Sequence, residues 1–470
     1  MTTGAHILVF PYPAQGHMIP LLDLTHQLAL RGLTITILVT PKNLPILTPL
    51  LSTHPNSIQT LVLPFPSHPS IPSGVENTKD LPNGSFIAMM RAMSQLSNPI
   101  IHWFQSHSSP PIAILSDMFL GLTNQLASQL GIKHLVFSPS GALTLSMSNS
   151  LWTDFPKNPN DENALVEFPN VPNSPKFPWF QLSASFRKYV QGDPNSEFLK
   201  NVMQGNMSCW AIVCNSFSEL ESVYLNHLKK DIGDERVFAV GPLLPPQDVS
   251  KERGGSSSII VKDILSWLDT CPDKSVVYVC FGSQVVLKNQ QMDELASGLE
   301  KSGVRFVWCT KEATKGHVAG DYGLIPAGFE DRMASRGFVI RGWAPQVVIL
   351  NHRAVGSFLT HCGWNSVLES VAAGVPMLMW PMGADQYYNA NLLVDHMNVG
   401  VRVCEGALTI PNADELARKM AESVGGGIVS ERCEELSQAA VHAVKEGGSS
   451  FKDLDALVKE LCVLNVEGNK

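Results

Sequence analysis

The chain has 470 residues, of which 44% are hydrophobic and 16% are charged, and its formal net charge is −8. This length favours two domains, and the negative charge without any basic stripe argues against a nucleic-acid partner. The opening MTTGAHILVFPYP reads as a strand rather than a signal peptide, and no apolar run reaches the roughly 18 residues of a membrane span. The nine cysteines include no C-x-x-C pair. We therefore expect a cytoplasmic protein with reduced thiols and no zinc site.

Short apolar runs alternate with helix-like stretches such as IPLLDLTHQLALRG through the first half of the chain. This alternation is typical of βαβ units that surround a buried parallel sheet. The strand-like runs are HILVF (6–10), LTITILVT (33–40), IQTLVLPF (58–65), PIAILSD (111–117), KHLVFSP (133–139), WAIVCNS (210–216) and RVFAVGP (236–242).

A segment rich in Pro, Gly, Ser and charge at 242–260 predicts a linker, after which the alternation resumes. We expect an α/β protein with domains at 1–243 and 244–449 and an amphipathic helix at 450–470. The strand-like runs of the second half are SVVYVCFGS (275–283), RFVWCTK (305–311), FVIRGW (338–343), VGSFLTH (355–361) and PMLMWP (376–381).

Two polar side chains follow strand-like runs of the first domain. His17 lies just past the run 6–10, where a helix is about to begin, and its ordinary pKa near 6.5 suits a general base. Asp117 ends the run 111–117, and a carboxylate beside a histidine orients the ring and stabilises the imidazolium. In parallel sheets such strand ends converge on the edge where ligands bind. Alternatively, His17 only hydrogen-bonds its turn and Asp117 only caps the next helix.

The stretch THCGWNSVLES (360–370) places a row of hydrogen-bond donors at the start of a helix. Backbone N–H groups at a helix N-terminus are unpaired and favour an anion, and Gly363 permits close approach of a ligand. The side chains of His361, Asn365 and Ser366 add further donors. The pattern indicates a diphosphate site, and ordinary capping by Asn365 or Ser366 is the alternative.

Several familiar motifs are missing. The sequence contains no G-x-G-x-x-G, no G-x-x-x-x-G-K-[ST] and no H-E-x-x-H, so the Walker-type, dinucleotide and zinc-protease hypotheses lose support. Asp453-Leu454-Asp455 could hold a Mg²⁺ ion for a nucleotide sugar. It falls inside the predicted C-terminal helix, so we interpret it as part of a solvated helix face.

The segment from Trp343 to Gln386 resembles the signature of plant UDP-dependent secondary-product glycosyltransferases. It carries W-x-P-Q, G-x-F-x-T-H-C-G-W-N-S, G-V-P and a closing D-Q, and the turn PAQGH, the pair SD and the triplet FGS also have counterparts in that family. The resemblance implies a GT-B fold, in which two Rossmann-like βαβ domains face each other across a cleft and the helix 450–470 packs back on the first domain. It also implies an inverting enzyme that uses neither a metal nor another cofactor.

The same resemblance implies a role for each matching residue. Trp343 would stack on the uracil, Glu369 would accept hydrogen bonds from the ribose, and His17 with Asp117 would be the catalytic pair. The full set of UDP-binding residues would be Ser283, Trp343, Ala344, Gln346, His361, Gly363, Asn365, Ser366 and Glu369. The sugar would contact Trp364, Asp385 and Gln386.

The expected reaction is transfer of glucose from UDP-glucose to a small phenolic acceptor, with a flavonol as first choice, to give a β-O-glucoside. Glucose is expected because Trp364 and Gln386 accompany that sugar in the family, while UDP-xylose, UDP-rhamnose, UDP-galactose and a hydroxybenzoate acceptor are alternatives. Pro139 and Ser140 are expected to line the acceptor pocket, where many relatives carry a threonine. A non-catalytic nucleotide-sugar-binding protein is disfavoured because both His17 and Asp117 are present. We expect a monomer.

Overall fold

The computed structural model describes residues 4–81, 85–233, 235–245, 253, 257–312, 321–425 and 429–468. Two compact units are distinguished, one formed by Met1–Leu244 with His442–Lys470 and the other by Pro245–Val441. Most of the predicted linker, at 246–252 and 254–256, lies outside the described residues. Within the described ranges, none of the helices combines the length and apolar character that a membrane crossing requires.

The strands are short and mostly buried, as expected for Val- and Ile-rich segments covered on both faces. In the described part of the chain they are β1 (His6–Phe10), β2 (Thr34–Val39), β3 (Ile58–Val62), β4 (Ala113–Asp117), β5 (Lys133–Ser138), β6 (Leu165–Glu167), β7 (Lys176–Pro178), β8 (Ala211–Cys214), β9 (Val237–Ala239), β10 (Val276–Cys280), β11 (Arg305–Thr310), β12 (Gly337–Arg341), β13 (Val355–Thr360), β14 (Met377–Met379) and β15 (Gly400–Arg402).

Helices connect most of the strands, as parallel pairing requires. Over the described ranges they are α1 (Gln15–Leu30), α2 (Thr48–Thr53), α3 (Phe86–Ser94), α4 (Ser97–Ser106), α5 (Thr123–Leu130), α6 (Ala142–Asp154), α7 (Ala184–Arg187), α8 (Pro194–Met207), α9 (Ser218–Ile232), α10 (Val261–Asp269), α11 (Asn289–Ser302), α12 (Phe329–Met333), α13 (Gln346–Leu350), α14 (Trp364–Ala373), α15 (Gln386–Asn391), α16 (Ala413–Ser423), α17 (Val429–Ala443) and α18 (Ser449–Gly468).

The first unit contains a parallel sheet with the strand order β3-β2-β1-β4-β5-β8-β9. The chain runs outward from β1 to β3 and then returns to β4 on the other side of β1. Ile7 of β1 therefore pairs with Ile35 on one side and with Ala113 on the other. The boundary between β1 and β4 is a topological switch point, and ligands of such sheets bind at the carboxyl ends of the strands there.

The second unit repeats this arrangement with the strand order β12-β11-β10-β13-β14-β15, again in parallel. Its switch point lies between β10 and β13. The strand β10 is buried at every position, and its Val277 and Val279 join the hydrophobic core with Trp308 and Trp380. Two doubly wound sheets confirm the predicted α/β fold class, and each offers one site at its switch point.

The C-terminal helix α18 belongs to the first unit, where Leu454, Leu457 and Leu461 enter the core of the first sheet. The carboxylate of Asp453 accepts a hydrogen bond of 2.8 Å from the backbone N–H of Ala239 in the edge strand β9. Burial raises the pKa of Asp453. The prediction that 453–455 is a solvated face is therefore wrong for Asp453, since the edge strand of a sheet has backbone N–H groups without a strand partner and this carboxylate accepts one of them.

The exposed Asp455 of the same helix forms an ion pair of 2.7 Å with Arg31. Neither it nor Asp453 belongs to a metal centre in the described residues, where no group of three or more His, Cys, Asp or Glu side chains is placed to hold an ion. The helix α18 thus uses its two aspartates to dock on the first unit.

Some short strands were not predicted from the sequence. The antiparallel pair β6–β7 and the strand β15 have only three residues each, which is too short for a periodic pattern. The apolar segment 89–93 lies within α3, where Met89, Met90 and Met93 are buried. Their unbranched side chains favour a helix and fill a core, so packing explains their apolar character.

Candidate active site

His17 and Asp117 meet at the switch point of the first sheet. His17 lies in the first turn of α1, directly after β1, and Asp117 is the last residue of the neighbouring strand β4. Nδ1 of His17 lies 3.0 and 2.9 Å from the two carboxylate oxygens of Asp117. Asp117 is fully buried, whereas the His17 side chain is 20% exposed. The histidine is therefore accessible while its partner is shielded from water.

This contact determines which nitrogen of His17 can act as a base. An ionised carboxylate only accepts hydrogen bonds, so Nδ1 of His17 must carry the proton that it donates to Asp117. Oδ1 of Asp117 also accepts the backbone N–H of Phe119 at 2.8 Å, which fixes the carboxylate. The lone pair of the histidine is then on Nε2, which is the arrangement of a general base with an orienting carboxylate.

Two aromatic rings enclose His17 and were not identified from the sequence. The ring of Phe119 lies 4.5 Å from the imidazole, centroid to centroid, and that of Tyr12 lies at 5.3 Å. Tyr12 donates its hydroxyl hydrogen to the carbonyl of Phe86 at 3.0 Å. Burial, and then the charge of Asp117, raises the pKa of Tyr12 well above its ordinary value, so its hydroxyl stays neutral. Phe119 lies only two residues after Asp117, and this short spacing could have indicated that its ring lies near the catalytic pair.

The predicted acceptor-pocket residues Pro139 and Ser140 follow β5, which is the neighbour of β4. Pro139 is buried and Ser140 is partly exposed. The carbonyl of Ser140 accepts the hydroxyl of Ser138 at 2.9 Å and the thiol of Cys214 at 3.4 Å. This turn therefore lies at the same sheet edge as Asp117, and its backbone is held by the two strands beside it.

His361 lies at the switch point of the second sheet, between the backbones of two glycines. A Cβ atom built on Gly282 would lie 2.6 Å from the Nε2 and Cε1 atoms of the imidazole, and one built on Gly363 would lie 2.5 Å from Nε2. Gly282 also has φ of +74°, a conformation that other residues rarely adopt. Both positions therefore require glycine for His361 to keep its place.

Burial lowers the pKa of His361 to about 4. The imidazole is consequently neutral at pH 7 and has one N–H donor and one acceptor nitrogen. Its Nδ1 has no hydrogen-bond partner among the described residues. A neutral donor at this site can bind an anion without carrying a full charge of its own.

The helix α14 starts directly after this histidine. Its N-cap residue is Gly363, which has no side chain to cap the helix, and Asn365 and Ser366 follow in the first turn. Asn365 lies in the first turn beside Ser366, whose side-chain oxygen accepts a hydrogen bond from Nε2 of Gln346 at 2.9 Å. The backbone N–H groups of this turn form the positive end of the helix dipole, which favours an anion such as a diphosphate.

Glu369 lies one turn further along α14, and a hydrogen bond from Gln346 orients its carboxylate. Nε2 of Gln346 donates to the Glu369 carboxylate at 2.7 Å, and the hydroxyl of Tyr278 donates to Oε1 of Gln346 at 3.3 Å. Trp343 and Ala344 precede Gln346, the former partly exposed and the latter buried. The predicted contacts to base and ribose are therefore assembled on one short stretch of chain and on the helix beside it.

Two cations near these groups were missed. The guanidinium of Arg253 forms an ion pair with Glu369, and Nζ of Lys311 donates to the carbonyl of Ser283 at 2.6 Å. Lys311 follows β11, so its place beside the end of β10 was predictable from strand adjacency. Arg253 lies in the segment interpreted as a linker, where the sequence carried no signal.

The predicted sugar-contacting residues differ in exposure. Trp364 is 3% exposed, whereas Asp385 and Gln386, at the start of α15, are partly exposed. Oε1 of Gln386 accepts the backbone N–H groups of Met382 and Gly383 at 2.9 and 3.0 Å. Because this oxygen is engaged, the NH₂ group of Gln386 is the part of the amide that a sugar hydroxyl would meet.

Comparisons with known proteins agree with this arrangement. Residues 246–420 match the family described as "UDP-glucoronosyl and UDP-glucosyl transferase". The chain is 57% identical to UDP-glycosyltransferase 89B2 of Stevia rebaudiana over 465 residues, which cover 98% of each chain. It is 54% identical to flavonol 3-O-glucosyltransferase UGT89B1 of Arabidopsis thaliana, with 99% of this chain and 98% of the relative covered.

A solved structure is also similar over nearly its full length. The crystal structure of Arabidopsis thaliana UGT89C1 complexed with UDP-L-rhamnose superimposes with a TM-score of 0.82 at 42% identity, covering 97% of this chain and 99% of that one. Such identities over whole chains exceed what fold similarity alone produces. The protein therefore belongs to the plant UDP-glycosyltransferase family and is a glycosyltransferase with the GT-B fold.

Proposed function

We propose that this enzyme transfers glucose from UDP-glucose to a hydroxyl group of a small phenolic acceptor, with a flavonol as the first candidate. The observation that carries the proposal is the pair formed by His17 and Asp117, which leaves Nε2 of an accessible histidine as a base. The relative from Arabidopsis thaliana named a flavonol 3-O-glucosyltransferase, at 54% identity, supports the choice of acceptor and sugar.

In the proposed reaction Nε2 of His17 takes the proton of the acceptor hydroxyl while its oxygen attacks the anomeric carbon. The bond from that carbon to the UDP oxygen breaks on the opposite side, so an α-linked donor gives a β-O-glucoside. The buried Asp117 carboxylate stabilises the imidazolium that forms. An orienting carboxylate also keeps the ring in the tautomer that the first step needs.

The second sheet supplies the groups that stabilise the leaving UDP. Neutral His361, Asn365, Ser366 and the N-terminus of α14 would donate to the diphosphate, with Ser283 on the neighbouring loop. Lys311, bonded to the Ser283 carbonyl, adds a positive charge close to that loop. These donors do the electrostatic work that a divalent cation does in other glycosyltransferases, so we propose a metal-independent reaction.

A second donor, UDP-rhamnose, is favoured by one specific observation. The structure of UGT89C1 that resembles this chain at 42% identity was solved with UDP-L-rhamnose, and a further structure of that protein holds quercetin. Glucose remains the first choice because Trp364 and Gln386 are present. Gly383 beside Gln386 has no atom within 4 Å of where a Cβ would stand, so this loop has space for small differences between sugars.

The experiment that tests the proposal is a matrix of UDP-glucose, UDP-rhamnose, UDP-xylose and UDP-galactose against flavonols and hydroxybenzoates, analysed by mass spectrometry. We expect a hexose adduct with UDP-glucose and a flavonol, unchanged by a chelator. The β configuration would appear as a large anomeric coupling constant in the proton NMR spectrum of the product. A deoxyhexose adduct alone would transfer the assignment to UDP-rhamnose, and strict dependence on Mg²⁺ would contradict the metal-independent account.

His17→Ala belongs in the same matrix as the catalytic variant. We expect transfer to fall by at least about 10²-fold, the usual contribution of a positioned base, while UDP binds as in the wild type. Equal turnover by this variant would remove His17 from the mechanism.

A further inference from the structure

We propose that Arg253 is a positioning residue of the nucleotide site, which holds Glu369 and Trp343 in the geometry that the nucleoside half of a UDP-sugar requires. The inference rests on the proposed function, since it takes these two residues as the ribose and uracil contacts. Arg253 itself touches neither ring in this account. It acts through the two side chains that do.

The first argument is the set of contacts that Arg253 makes. Its guanidinium Nη1 pairs with Oε1 of Glu369, and the two side chains are only 10% and 7% exposed. Its backbone carbonyl accepts the indole N–H of Trp343 at 3.1 Å. One residue therefore joins the helix that carries Glu369 to the indole of the tryptophan that precedes α13.

The second argument is that the chain after Arg253 is bound to the same tryptophan. The backbone N–H of Ser258 donates to the carbonyl of Trp343 at 2.8 Å, and the backbone N–H of Trp343 donates to Oγ of Ser258 at 2.6 Å. Gly342 has φ of +105°, and a Cβ built there would lie 2.3 Å from that Oγ. This reciprocal pair ties Ser258, five residues after Arg253, to the nucleotide site.

The third argument is electrostatic. Glu369 lies one turn from Ser366 on the helix whose N-terminus is expected to hold the diphosphate, so an unneutralised carboxylate there would oppose an anionic ligand. A buried charge without a partner is also costly for the protein itself. Arg253 removes both problems, because the positive charge of its guanidinium compensates the carboxylate. The direction from which the guanidinium approaches also orients the carboxylate group.

Arg253 leaves room for the ribose. An ionised carboxylate has about four lone-pair sites, and among the described residues two hydrogen bonds are made to Glu369, by Arg253 and by Gln346. The carboxylate can therefore accept a ribose hydroxyl while both protein donors remain in place. For this reason we infer that Arg253 supports nucleotide binding rather than competing with it.

The test is calorimetric titration of the full chain with UDP, which needs no acceptor. Arg253→Met should raise the Kd of UDP about ten-fold, equivalent to about 1.4 kcal/mol, because Glu369 loses its charged partner and is no longer joined to the backbone carbonyl that holds Trp343. Arg253→Lys, which keeps the charge, should recover most of the affinity. The matched control is Arg418→Met, which breaks an exposed pair with Glu422 and should leave the Kd unchanged.

A double-mutant cycle separates positioning from a general structural effect. If Arg253 acts through Glu369, then Arg253→Met in a Glu369→Gln background should change the Kd of UDP by less than about two-fold. In turnover assays the KM for the UDP-sugar should rise while kcat stays within about two-fold of wild type. Melting temperatures measured for every variant identify any loss of the fold. If Arg253→Met does not fold, Arg253→Lys is compared with the wild type instead.

The outcomes are distinguishable. Wild-type affinity, or tighter binding, in Arg253→Met overturns the inference, as does an undiminished ten-fold loss in the Glu369→Gln background. Failure of the wild-type enzyme to bind UDP would instead overturn the proposed function. Weakened UDP binding with a normal kcat supports the inference whichever acceptor the enzyme uses.

Discussion

At the scale of single residues, the placement of His361 illustrates how closely the donor site depends on backbone shape. The ring is confined by Gly282 and Gly363, and burial lowers its pKa to about 4. The positive φ of Gly282 adds a second requirement, since a β-carbon at that position is strained even without the contact. A glycine in the loop after β10 thus controls a side chain that follows β13.

Gly282→Ala should therefore weaken UDP binding by at least about ten-fold, because His361 must leave its position and the loop must abandon φ of +74°. Titration calorimetry with UDP measures the effect. Gly303→Ala is the matched control, since Gly303 has φ of +71° but no atom within 4 Å of its would-be Cβ. If both variants lose affinity equally, backbone strain rather than the contact with His361 is the cause.

The site residues differ in how far the sequence could identify them. His17 and Asp117 were predictable because each follows a strand, and parallel strands end at a common edge. Lys311 could have been identified in the same way, since it follows β11 beside β10. Arg253 could not, because its partner Glu369 lies far away along the chain and is reached by a long, flexible side chain. Sequence periodicity describes which face a residue occupies, but it carries no information on such distant pairings.

At the scale of elements, α18 completes the first sheet at its edge. The strand β9 is the last in the order and pairs with β8 on one side only. Its Ala239 N–H is satisfied by Asp453, and the hydroxyl of Ser450 donates to the carbonyl of Gly241 at 2.5 Å. The leucines of α18 then cover the core beneath, so polar and apolar contacts act together.

Asp453→Ala should destabilise the protein by about 1–3 kcal/mol, because the Ala239 N–H would remain buried without an acceptor. Asp455→Ala, two residues away, removes a pair in which the aspartate is 51% exposed and should cost at most about 1 kcal/mol. Denaturant unfolding followed by circular dichroism measures both. Equal effects would show that Asp453 has no special role in docking α18.

Most elements of the two sheets were predictable, because β-branched apolar runs alternate with helical ones. The strand at 6–10 matches its predicted range, and those at 113–117 and 355–360 lie within predicted ranges that are one or two residues longer. The three-residue strand β15 was not predicted, since the formation of so short a strand depends on pairing with its neighbours rather than on its own sequence pattern. The alternation of strand-like and helix-like runs was sufficient to predict the fold class. The strands at the edge of each sheet could not be predicted in this way, because tertiary contacts determine them.

At the scale of the whole molecule, each unit buries a neutral histidine. Burial lowers the pKa of His134 in the first unit to about 3 and that of His361 in the second to about 4. The unfolded chain binds protons at these positions near its ordinary pKa of about 6.5, whereas the folded protein does not. The stabilising contribution is complete above pH 6.5 and is lost as the pH falls toward 4 and 3.

We therefore expect the free energy of unfolding to decrease as the pH is lowered from 6.5 to 4.5, with each histidine contributing up to about 1.4 kcal/mol per pH unit. Urea unfolding at several pH values measures the slope. His134→Gln cannot take up this proton and should show a shallower dependence in that range, although losing the contact with Ser116 lowers its stability at pH 7. An unchanged slope would contradict the assignment of acid sensitivity to this residue.

The division of the chain has a consequence for how the protein is made. The first unit includes His442–Lys470, so its last helix leaves the ribosome only after the whole of the second unit has been made. Until then the nascent first unit lacks the leucines that cover its core and the carboxylate that closes its edge strand. Premature termination near residue 448 would therefore damage the half that carries His17, although the missing codons lie far downstream of the His17 codon.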